Sequence, residues 1–289
     1  MGGRKKMKLI TVDLGSFNVK TSEGALFENR FLKDNHNEVF GSEVLTWEGN
    51  NYFFNKGDFN KTFIKANKEI EVPLLYALAK SNVEGDINLI LHLPASQMTF
   101  KDEIIERLEG KEFKYIVNGE EQVTKFNKVG ILKEGWSSFY SLAKRNTGLI
   151  GIIDVGGRTT DVFTFNNGLN EEEKSIPVGT MNLFSEIADV LIGKGENRRC
   201  EDIHRLLENN IIDIEDFKEV VNKYGNRIIN DIKESMPSLS DYKIYLTGGG
   251  ATFFEKCFKE YFKVEIMSNN LTSNCTGSFN IGKAKAWDK

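Results

Sequence analysis

The sequence predicts an α/β protein made of two similar halves around a cleft, and two observations support this fold class. Short apolar runs that suit buried strands alternate with segments in which apolar residues recur at helical spacing. In addition, one pattern occurs at both Asp13 and Asp154: a strand ends in an aspartate, and a glycine, a hydroxyl residue and a second strand follow. Two related halves would produce this repeat.

The composition is that of an ordinary globular protein, with 40% hydrophobic and 28% charged residues in a chain of 289. The 38 basic and 42 acidic residues give a net charge of −4, which excludes a protein that coats DNA by positive charge alone. No apolar run approaches the roughly 20 residues that a membrane helix requires, and residues 1–7 are basic without the apolar stretch of a secretory signal. We therefore expect a cytoplasmic protein without a membrane partner.

Cys200, Cys257 and Cys275 are far apart in the sequence and form no C-x-x-C pair. This spacing predicts a reducing compartment and no disulfide framework. Each cysteine is expected to act as a small buried hydrophobic residue. The three histidines are scattered, which does not favour a zinc site.

In the first half of the chain, apolar runs bounded by turn residues predict strands. These strands cover residues 8–14, 25–32, 38–47, 51–55, 87–93, 112–117 and 121–132. The turn residues Glu48-Gly49-Asn50 and Asn118-Gly119 predict two hairpins. Helical spacing predicts helices over residues 69–82, 100–108 and 136–145, and Pro73 suits the first turn of the first of these.

In the second half, the same criteria predict three strands and five helices. The strands cover residues 149–154, 160–165 and 243–247, and the helices cover residues 181–192, 200–208, 214–236, 252–262 and 281–287.

The first chemically informative turn, at residues 13–20, reads D-L-G-S-F-N-V-K. A glycine and a hydroxyl residue in a tight strand–turn–strand let backbone N–H groups approach a phosphate. Lys20 can reach phosphate oxygens from the returning strand, and Asp13 can hold a divalent cation through water. A plain hairpin turn would explain these residues equally well.

The second turn, at residues 154–161, reads D-V-G-G-R-T-T-D. Two glycines and two threonines between Asp154 and Asp161 offer a second backbone cradle and a second acid that could face a metal ion. A structural hairpin rarely needs two adjacent glycines and two acids, so this turn favours a functional interpretation.

The third turn, at residues 247–251, reads T-G-G-G-A and leads from a strand into a helix. Three glycines let a ligand lie against the backbone, and a helix N-terminus follows. By itself this run is a flexible turn, and it is neither the Walker lysine loop nor the dinucleotide fingerprint.

Together, the three turns resemble the actin-like ATPase superfamily, whose two phosphate loops and glycine-rich adenosine loop come in this order. The pattern D-x-G-S-x-N-x-K, the I-I-D-V-G-G loop, the G-G-G-A run and Leu93-Pro94 look like the plasmid-segregation actins of the ParM/StbA type. The resemblance covers nearly the whole chain. It implies a two-lobed, duplicated ribonuclease H-like fold with a nucleotide cleft. Lobe I would comprise residues 7–148 with the returning helix at 276–289, and lobe II residues 149–275.

The resemblance also implies roles for individual residues. Glu134, in a Glu-Gly pair before a helix with aromatic residues, would position the attacking water; alternatively, it only supplies a favourable charge at the helix N-terminus. Asp13 and Asp154 would face magnesium through water. The implied catalytic residues are Glu134, Asp154 and Asp161, and the implied nucleotide-binding residues are Asp13, Gly15, Ser16, Phe17, Asn18, Lys20, Gly156, Gly157, Arg158, Thr159, Arg199, Glu201, Gly248, Gly249 and Gly250.

The sequence departs from its relatives at three points. Arg158 replaces a small residue and could contact a phosphate, bridge the cleft or face solvent, while Phe17 is bulky for a phosphate loop. The spacing between Asp154 and Gly248 is distinctly shorter than in actin. We therefore expect the subdomain that caps the nucleotide, IIB, to be small or absent, as in short forms of the AlfA type. Arg199 and Glu201 lie in a charged run that would ordinarily be a solvated face.

The implied function is that of a nucleotide-dependent, filament-forming ATPase that drives plasmid DNA segregation. It would use ATP, or alternatively GTP, with Mg²⁺. Its partners would be further copies of itself and a DNA-binding adaptor protein at a centromere, and the acidic net charge agrees with this indirect link to DNA. A small-molecule kinase of the same superfamily and a non-hydrolysing nucleotide-binding scaffold are the alternatives.

Overall fold

The computed structural model describes residues 7–35, 41–145 and 147–289. The chain divides into two compact units. Unit 1 runs to Leu142 and resumes over Thr272–Lys289, and unit 2 is the continuous segment Ala143–Leu271. Part of the strand predicted at residues 38–47 lies outside the described residues.

In the described part of unit 1, one sheet of nine strands carries four helices. The strands are β1 (Lys8–Leu14), β2 (Asn18–Thr21), β3 (Leu26–Glu28), β4 (Arg30–Lys33), β5 (Val44–Trp47), β6 (Asn50–Phe59), β7 (Gly85–Leu93), β8 (Glu112–Val117) and β9 (Glu120–Lys133). The helices are α1 (Glu71–Lys80), α2 (Lys101–Leu108), α3 (Trp136–Phe139) and, at the far end of the sequence, α8 (Ser273–Ala284). The strand order is β3-β2-β1-β7-β9-β8-β5-β6-β4.

In unit 2, one sheet of five strands carries four helices. The strands are β10 (Leu149–Val155), β11 (Thr160–Asn166), β12 (Leu169–Ile176), β13 (Lys243–Thr247) and β14 (Val264–Ile266). The helices are α4 (Thr180–Gly193), α5 (Cys200–Glu208), α6 (Lys218–Ser235) and α7 (Ala251–Lys259). The strand order is β12-β11-β10-β13-β14, and no second sheet lies between the described residues Asp161 and Gly248.

The two units share a five-stranded core. In unit 1 the order β3-β2-β1-β7-β9 contains an antiparallel meander of three strands followed by two parallel strands. Unit 2 repeats this arrangement in β12-β11-β10-β13-β14. In β1 and in β10 every residue after the first is buried. The sequence repeat at Asp13 and Asp154 therefore marks equivalent strands of a duplicated fold.

Both predicted hairpin turns are confirmed. Glu48 and Gly49 join β5 to β6 with φ of 47° and 74°, and Asn118 and Gly119 join β8 to β9 with φ of 50° and 87°. Positive φ at both central residues defines the turn that matches the twist of paired strands.

Two predicted helices are wrong in extent. α3 is a single turn and not a helix over 136–145, because the Tyr140 carbonyl accepts a hydrogen bond from Asn280 Nδ2 at 3.0 Å. α8 begins at Ser273 and not at residue 281, because its first turns are buried through small and polar residues that give no amphipathic pattern. The strand predicted over 25–32 is divided into β3 and β4.

Two strands were missed. β12 has the sequence L-N-E-E-E-K-S-I and is exposed over most of its length, and β14 has three residues. Among the described residues, no helix is long and apolar enough to span a membrane.

Candidate functional site

The first loop of unit 1 is a tight connection between β1 and β2, closed by the pair Leu14 and Val19. A Cβ on Gly15 would lie 2.5 Å from the Asn18 carbonyl oxygen, so only glycine fits there. Asn29 fixes the loop from outside: its side-chain amide donates to the Gly15 carbonyl and its backbone N–H donates to the Phe17 carbonyl, each at 2.7 Å. The loop is therefore held in one shape by the close packing at Gly15 and by the two hydrogen bonds from Asn29.

Phe17 is buried, and its ring centroid lies 4.7 Å from that of Phe59. The bulky residue of this loop therefore packs inward through its side chain. Ser16 and Asn18 are half-buried beside it.

Four charged side chains meet next to this loop. Lys20 Nζ lies 3.3 Å from Asp13 Oδ2, and Lys65 Nζ lies 4.0 Å from Asp13 Oδ1 and forms a short ion pair with Glu134. Asp13 and Lys65 are only 4% and 5% exposed. Asp13 Oδ1 is buried without a hydrogen-bond partner. Because a buried charge needs compensation, the two lysines and two carboxylates stabilise one another as a neutral group.

The pKa values of the group reflect this balance. Burial alone would raise the pKa of Asp13, but Lys20 and Lys65 lower it to about 2. Burial raises the pKa of the Glu134 carboxyl, and the Lys65 ammonium opposes that rise. Burial would lower the pKa of Lys65, but Glu134 and Asp13 together raise it.

Glu134 is placed by the end of β9. Its backbone N–H donates to the Leu93 carbonyl at 2.8 Å, and the next residue, Gly135, has φ of 69° and donates to Asn274 Oδ1 of α8 at 2.9 Å. Contacts from β7 and α8 therefore fix the backbone at and after Glu134, the residue for which the resemblance implies a catalytic role.

His92 of β7 lies behind this group and is 2% exposed. Its Nδ1 lies 3.3 Å from the Val12 carbonyl, and its Nε2 is hydrogen-bonded to Ser278 of α8. Burial lowers the pKa of His92 to about 4, so the ring is neutral near pH 7 and adds no charge.

In unit 2, the second loop connects β10 to β11 and is closed by the pair Val155 and Thr160. Gly156 N–H donates to the Thr159 carbonyl at 2.8 Å. The carbonyls of Gly156 and Gly157 accept the first backbone N–H groups of α4, at 3.0 and 2.8 Å. The loop therefore caps that helix.

Asp154 and Asp161 are directly opposite each other at the base of this loop and are 5% and 1% exposed. Opposed residues of an antiparallel pair project on the same face of the sheet. The structure thus brings together the two acids that the sequence assigned to the second loop.

The third loop packs onto the end of β10. Gly248 has φ of +83°, and Gly250 N–H donates to the Val155 carbonyl at 2.9 Å. A Cβ on Gly250 would lie 2.3 Å from Val155 Cγ1, whereas a Cβ on Gly249 would meet nothing closer than 3.9 Å. The run needs glycine at its first and third positions for packing and leaves space at the second.

The remaining candidates of unit 2 lie on and near α5. Arg158 is half-buried. Burial lowers the pKa of its guanidinium, and the nearby Cys200 opposes this shift. Arg199 and Glu201 flank Cys200 at the start of the helix. Cys257 and Cys275 are buried, as expected for all three cysteines, whereas Cys200 is half-buried.

A groove of about 400 Å³ lies beside the later turns of α5 and the start of α7. Its lining includes His204, Leu207 and Phe253, but neither Arg199 nor Glu201. The ring centroid of Phe253 lies 5.4 Å from that of Phe184, which holds it in place. The groove has the size of a small-ligand site. One of its lining residues, Phe253, lies two residues after the end of the third loop.

Within the described ranges, no group of three or more His, Cys, Asp or Glu side chains is placed to hold a metal ion. A magnesium ion requires fewer protein ligands, because it keeps several waters and often uses one or two carboxylates. Asp13 suits such a role, because its Oδ1 is a buried acceptor that no donor satisfies.

Sequence reasoning missed Lys65, His92 and Phe253. Lys65 stands in a short 3₁₀ turn, Lys65–Asn67, without a recognisable motif. The only signal for burial of Lys65 was its apolar neighbours in the sequence. Phe253 was within a predicted helix, and its place three residues after the glycine run was the available signal.

Comparison with known proteins agrees with this geometry. Residues 152–260 match the family described as archaeal actin homologue MreB-like, C-terminal. No curated protein sequence matches the chain.

Three solved structures illustrate the likeness in fold. Ta0583, an archaeal actin homologue in complex with ADP, is 18% identical with a TM-score of 0.80, over 96% of this chain and 100% of that one. A 15-stranded ParM filament from Clostridium botulinum is 16% identical with a TM-score of 0.79, over 97% and 100%. An AlfA filament bound to AMPPNP is 19% identical with a TM-score of 0.63, over 97% and 98%.

Each of these matches covers 96% or more of this chain, and two of the three structures are ParM and AlfA filaments. The chain therefore has the two-lobed α/β fold of the actin homologues, near proteins of the ParM type.

Proposed function

We propose that this protein is a nucleotide-dependent, filament-forming ATPase that moves plasmid DNA through a centromere-bound adaptor. The observation that carries the proposal is the duplicated arrangement in which β1 and β10 each end in a buried aspartate beside a glycine loop. Nucleotide complexes and filaments among proteins of the same fold support it.

Unit 1 contributes the charges that phosphoryl transfer requires. The backbone of residues 15–18 and the Lys20 ammonium bind phosphate oxygens, and Glu134 orients the attacking water. Phosphoryl transfer depends mainly on positioning and on charge stabilisation, and the backbone that carries Glu134 is held by the Leu93 carbonyl and, through Gly135, by Asn274.

Unit 2 contributes a second phosphate cradle and a place for the base. The loop of residues 156–159 contacts phosphates, Asp161 assists in orienting water, and the glycines of residues 248–250 support the adenosine. The groove beside Phe253 accepts an aromatic base, because its size and ring are suited to one. ATP is the expected nucleotide and GTP is the alternative.

In unit 1, Asp13 would face magnesium through water, and Asp154, at the equivalent strand end of unit 2, is assigned the same role. When bound, the magnesium ion neutralises charge on the phosphates. Asp13 fits this role through its unsatisfied buried Oδ1, and Asp154 fits it through its burial at the equivalent strand end.

Assembly into filaments and a protein adaptor complete the proposal. ParM and AlfA filaments have this fold, and a net charge of −4 favours a DNA link through another protein. Hydrolysis then changes the contacts between copies and so limits filament lifetime.

The test follows assembly by light scattering and pelleting, with and without ATP and Mg²⁺, while phosphate release is measured in parallel. We expect assembly on addition of ATP and a delayed release of phosphate. Glu134→Gln should still assemble, release phosphate about 100-fold more slowly and form longer-lived filaments. A parallel series with GTP identifies the preferred nucleotide.

The alternative outcomes are distinct. Turnover without assembly would replace the proposal with a small-molecule kinase. Nucleotide binding with neither turnover nor assembly would replace it with a scaffold, and no binding at all would overturn it.

A further inference from the structure

Lys65 is the most deeply buried cation of the group in unit 1, and no feature of the three loops accounts for it. Its side chain is 6% exposed and forms its short ion pair with Glu134, whose side chain is 12% exposed. Lys65 Nζ also donates to the His92 carbonyl at 3.4 Å. A lysine is almost never buried to this extent unless it is paired.

The backbone around Lys65 is held rigidly. Lys65 N–H donates to Gln97 Oε1 at 2.8 Å, and Gln97 is itself 4% exposed. Arg107 of α2 donates to the carbonyls of Ala66 and Lys68, at 2.5 and 2.9 Å, and forms a two-point ion pair with Glu71. The turn is therefore fixed, so any displacement of the Lys65 ammonium must come from rotation of its long side chain.

The charges of the group cancel before any phosphate is present. Lys20 and Lys65 face Asp13 and Glu134, while His92 is neutral. In this arrangement Lys65 forms an ion pair with the carboxylate of Glu134, the group that is proposed to orient the attacking water. A bound terminal phosphate adds negative charge beside Lys20, and that charge competes with Glu134 for the Lys65 ammonium.

We propose that Lys65 senses the terminal phosphate: it holds Glu134 while that phosphate is absent and moves to the phosphate when a triphosphate binds, which frees Glu134 to orient water. This inference rests on the proposed nucleotide function. Lys65 acts as a positioning residue for Glu134 and as a ligand that distinguishes triphosphate from diphosphate. A merely structural ion pair would show neither property.

The test measures dissociation constants of AMPPNP and ADP, with Mg²⁺, for the full chain by calorimetry. Lys65→Met should weaken AMPPNP binding about tenfold and change ADP binding by less than about twofold, because the diphosphate lacks the group that Lys65 contacts. Glu134→Gln removes the competing carboxylate and should tighten AMPPNP binding about tenfold, but only while Lys65 is present. Lys65→Arg should recover most of the preference for AMPPNP.

Lys80→Met is the matched control, because Lys80 forms an exposed ion pair with Glu43 in the same unit. It should leave both dissociation constants unchanged. Equal effects of Lys65→Met on AMPPNP and ADP would overturn the inference, as would an identical effect of Glu134→Gln with and without Lys65. If Lys65→Met does not fold, the AMPPNP affinity of Glu134→Gln decides the question. An affinity equal to that of the unmodified chain would then reject the inference. Failure of the unmodified chain to bind any nucleotide would instead reject the proposed function.

Discussion

A Cβ atom on Gly248 would lie 2.4 Å from Asp154 Oδ1, so the first glycine of the third loop packs directly against the carboxylate that ends β10. The same atom would lie 2.3 Å from the Val155 carbonyl oxygen. The third loop and Asp154 are therefore parts of one packed structure. A change in one must displace the other.

We expect Gly248→Ala to lower the free energy of unfolding by at least about 2 kcal/mol, because positive φ is strained for alanine and its Cβ meets backbone. Gly249→Ala is the control, since its Cβ has ordinary space at 3.9 Å and no positive φ is involved. Urea unfolding of both variants measures the difference. Equal losses would show that the close approach at Gly248 does not exist.

The contact between α8 and α3 leads to a second expectation. A Cβ on Gly277 would lie 1.8 Å from the Ser137 carbonyl oxygen, so Gly277→Ala must push the helices apart. We expect a loss of about 3 kcal/mol or more in unfolding free energy. Gly193→Ala, at the exposed end of α4 with no atom within 4 Å, should be neutral or stabilising by about 0.5–1 kcal/mol. Thermal and urea unfolding should separate the two, and a neutral Gly277→Ala would refute the contact.

His92 gives stability a defined dependence on pH. Its pKa falls from 6.5 when unfolded to about 4 in the folded protein, so between these values the unfolded chain binds the extra proton. Stability therefore decreases as pH is lowered from 6.5 to 4, by up to about 3 kcal/mol from this residue. His92→Gln should show a shallower decline over that window in urea unfolding. Parallel curves for the variant and the unmodified chain would contradict the assignment.

Asp154→Ala tests the second loop. We expect ATP affinity in the presence of Mg²⁺ to fall about tenfold, because a carboxylate that faces the ion is lost. Asp189→Ala, on an exposed position of α4, removes the same group elsewhere in unit 2 and should leave affinity unchanged. Calorimetry with and without Mg²⁺ makes the comparison. Normal Mg²⁺-dependent affinity in Asp154→Ala would count against the role of this loop.

Strong local signals made much of the fold predictable. The apolar runs of β1 and β10 and the turn residues Asn118 and Gly119 define structure within a few residues of themselves. The duplication was visible because both halves place an aspartate at the end of the equivalent strand.

Long-range pairing made the rest unpredictable. β12 is polar along its length and exists because the edge of β11 offers backbone partners. The first turns of α8 are buried through polar contacts with α3, such as Ser138 with Ser273 and with Asn274. Lys65 is brought to Glu134 across 69 positions of sequence, and nothing near Lys65 in the chain signals this.

The order in which the two units are synthesised has a consequence for folding on the ribosome. Unit 2 is continuous, so all of its strands are available once Leu271 has been made. Unit 1 cannot be completed until the C-terminal segment has been made. Thr11 Oγ1 donates to the Cys275 carbonyl of α8, and the Asn88 side-chain amide donates to the Trp287 carbonyl in the segment that follows α8. We expect unit 2 to complete its sheet from one continuous stretch of chain, while the buried charges beside Asp13 stay incompletely enclosed until α8 has packed onto unit 1.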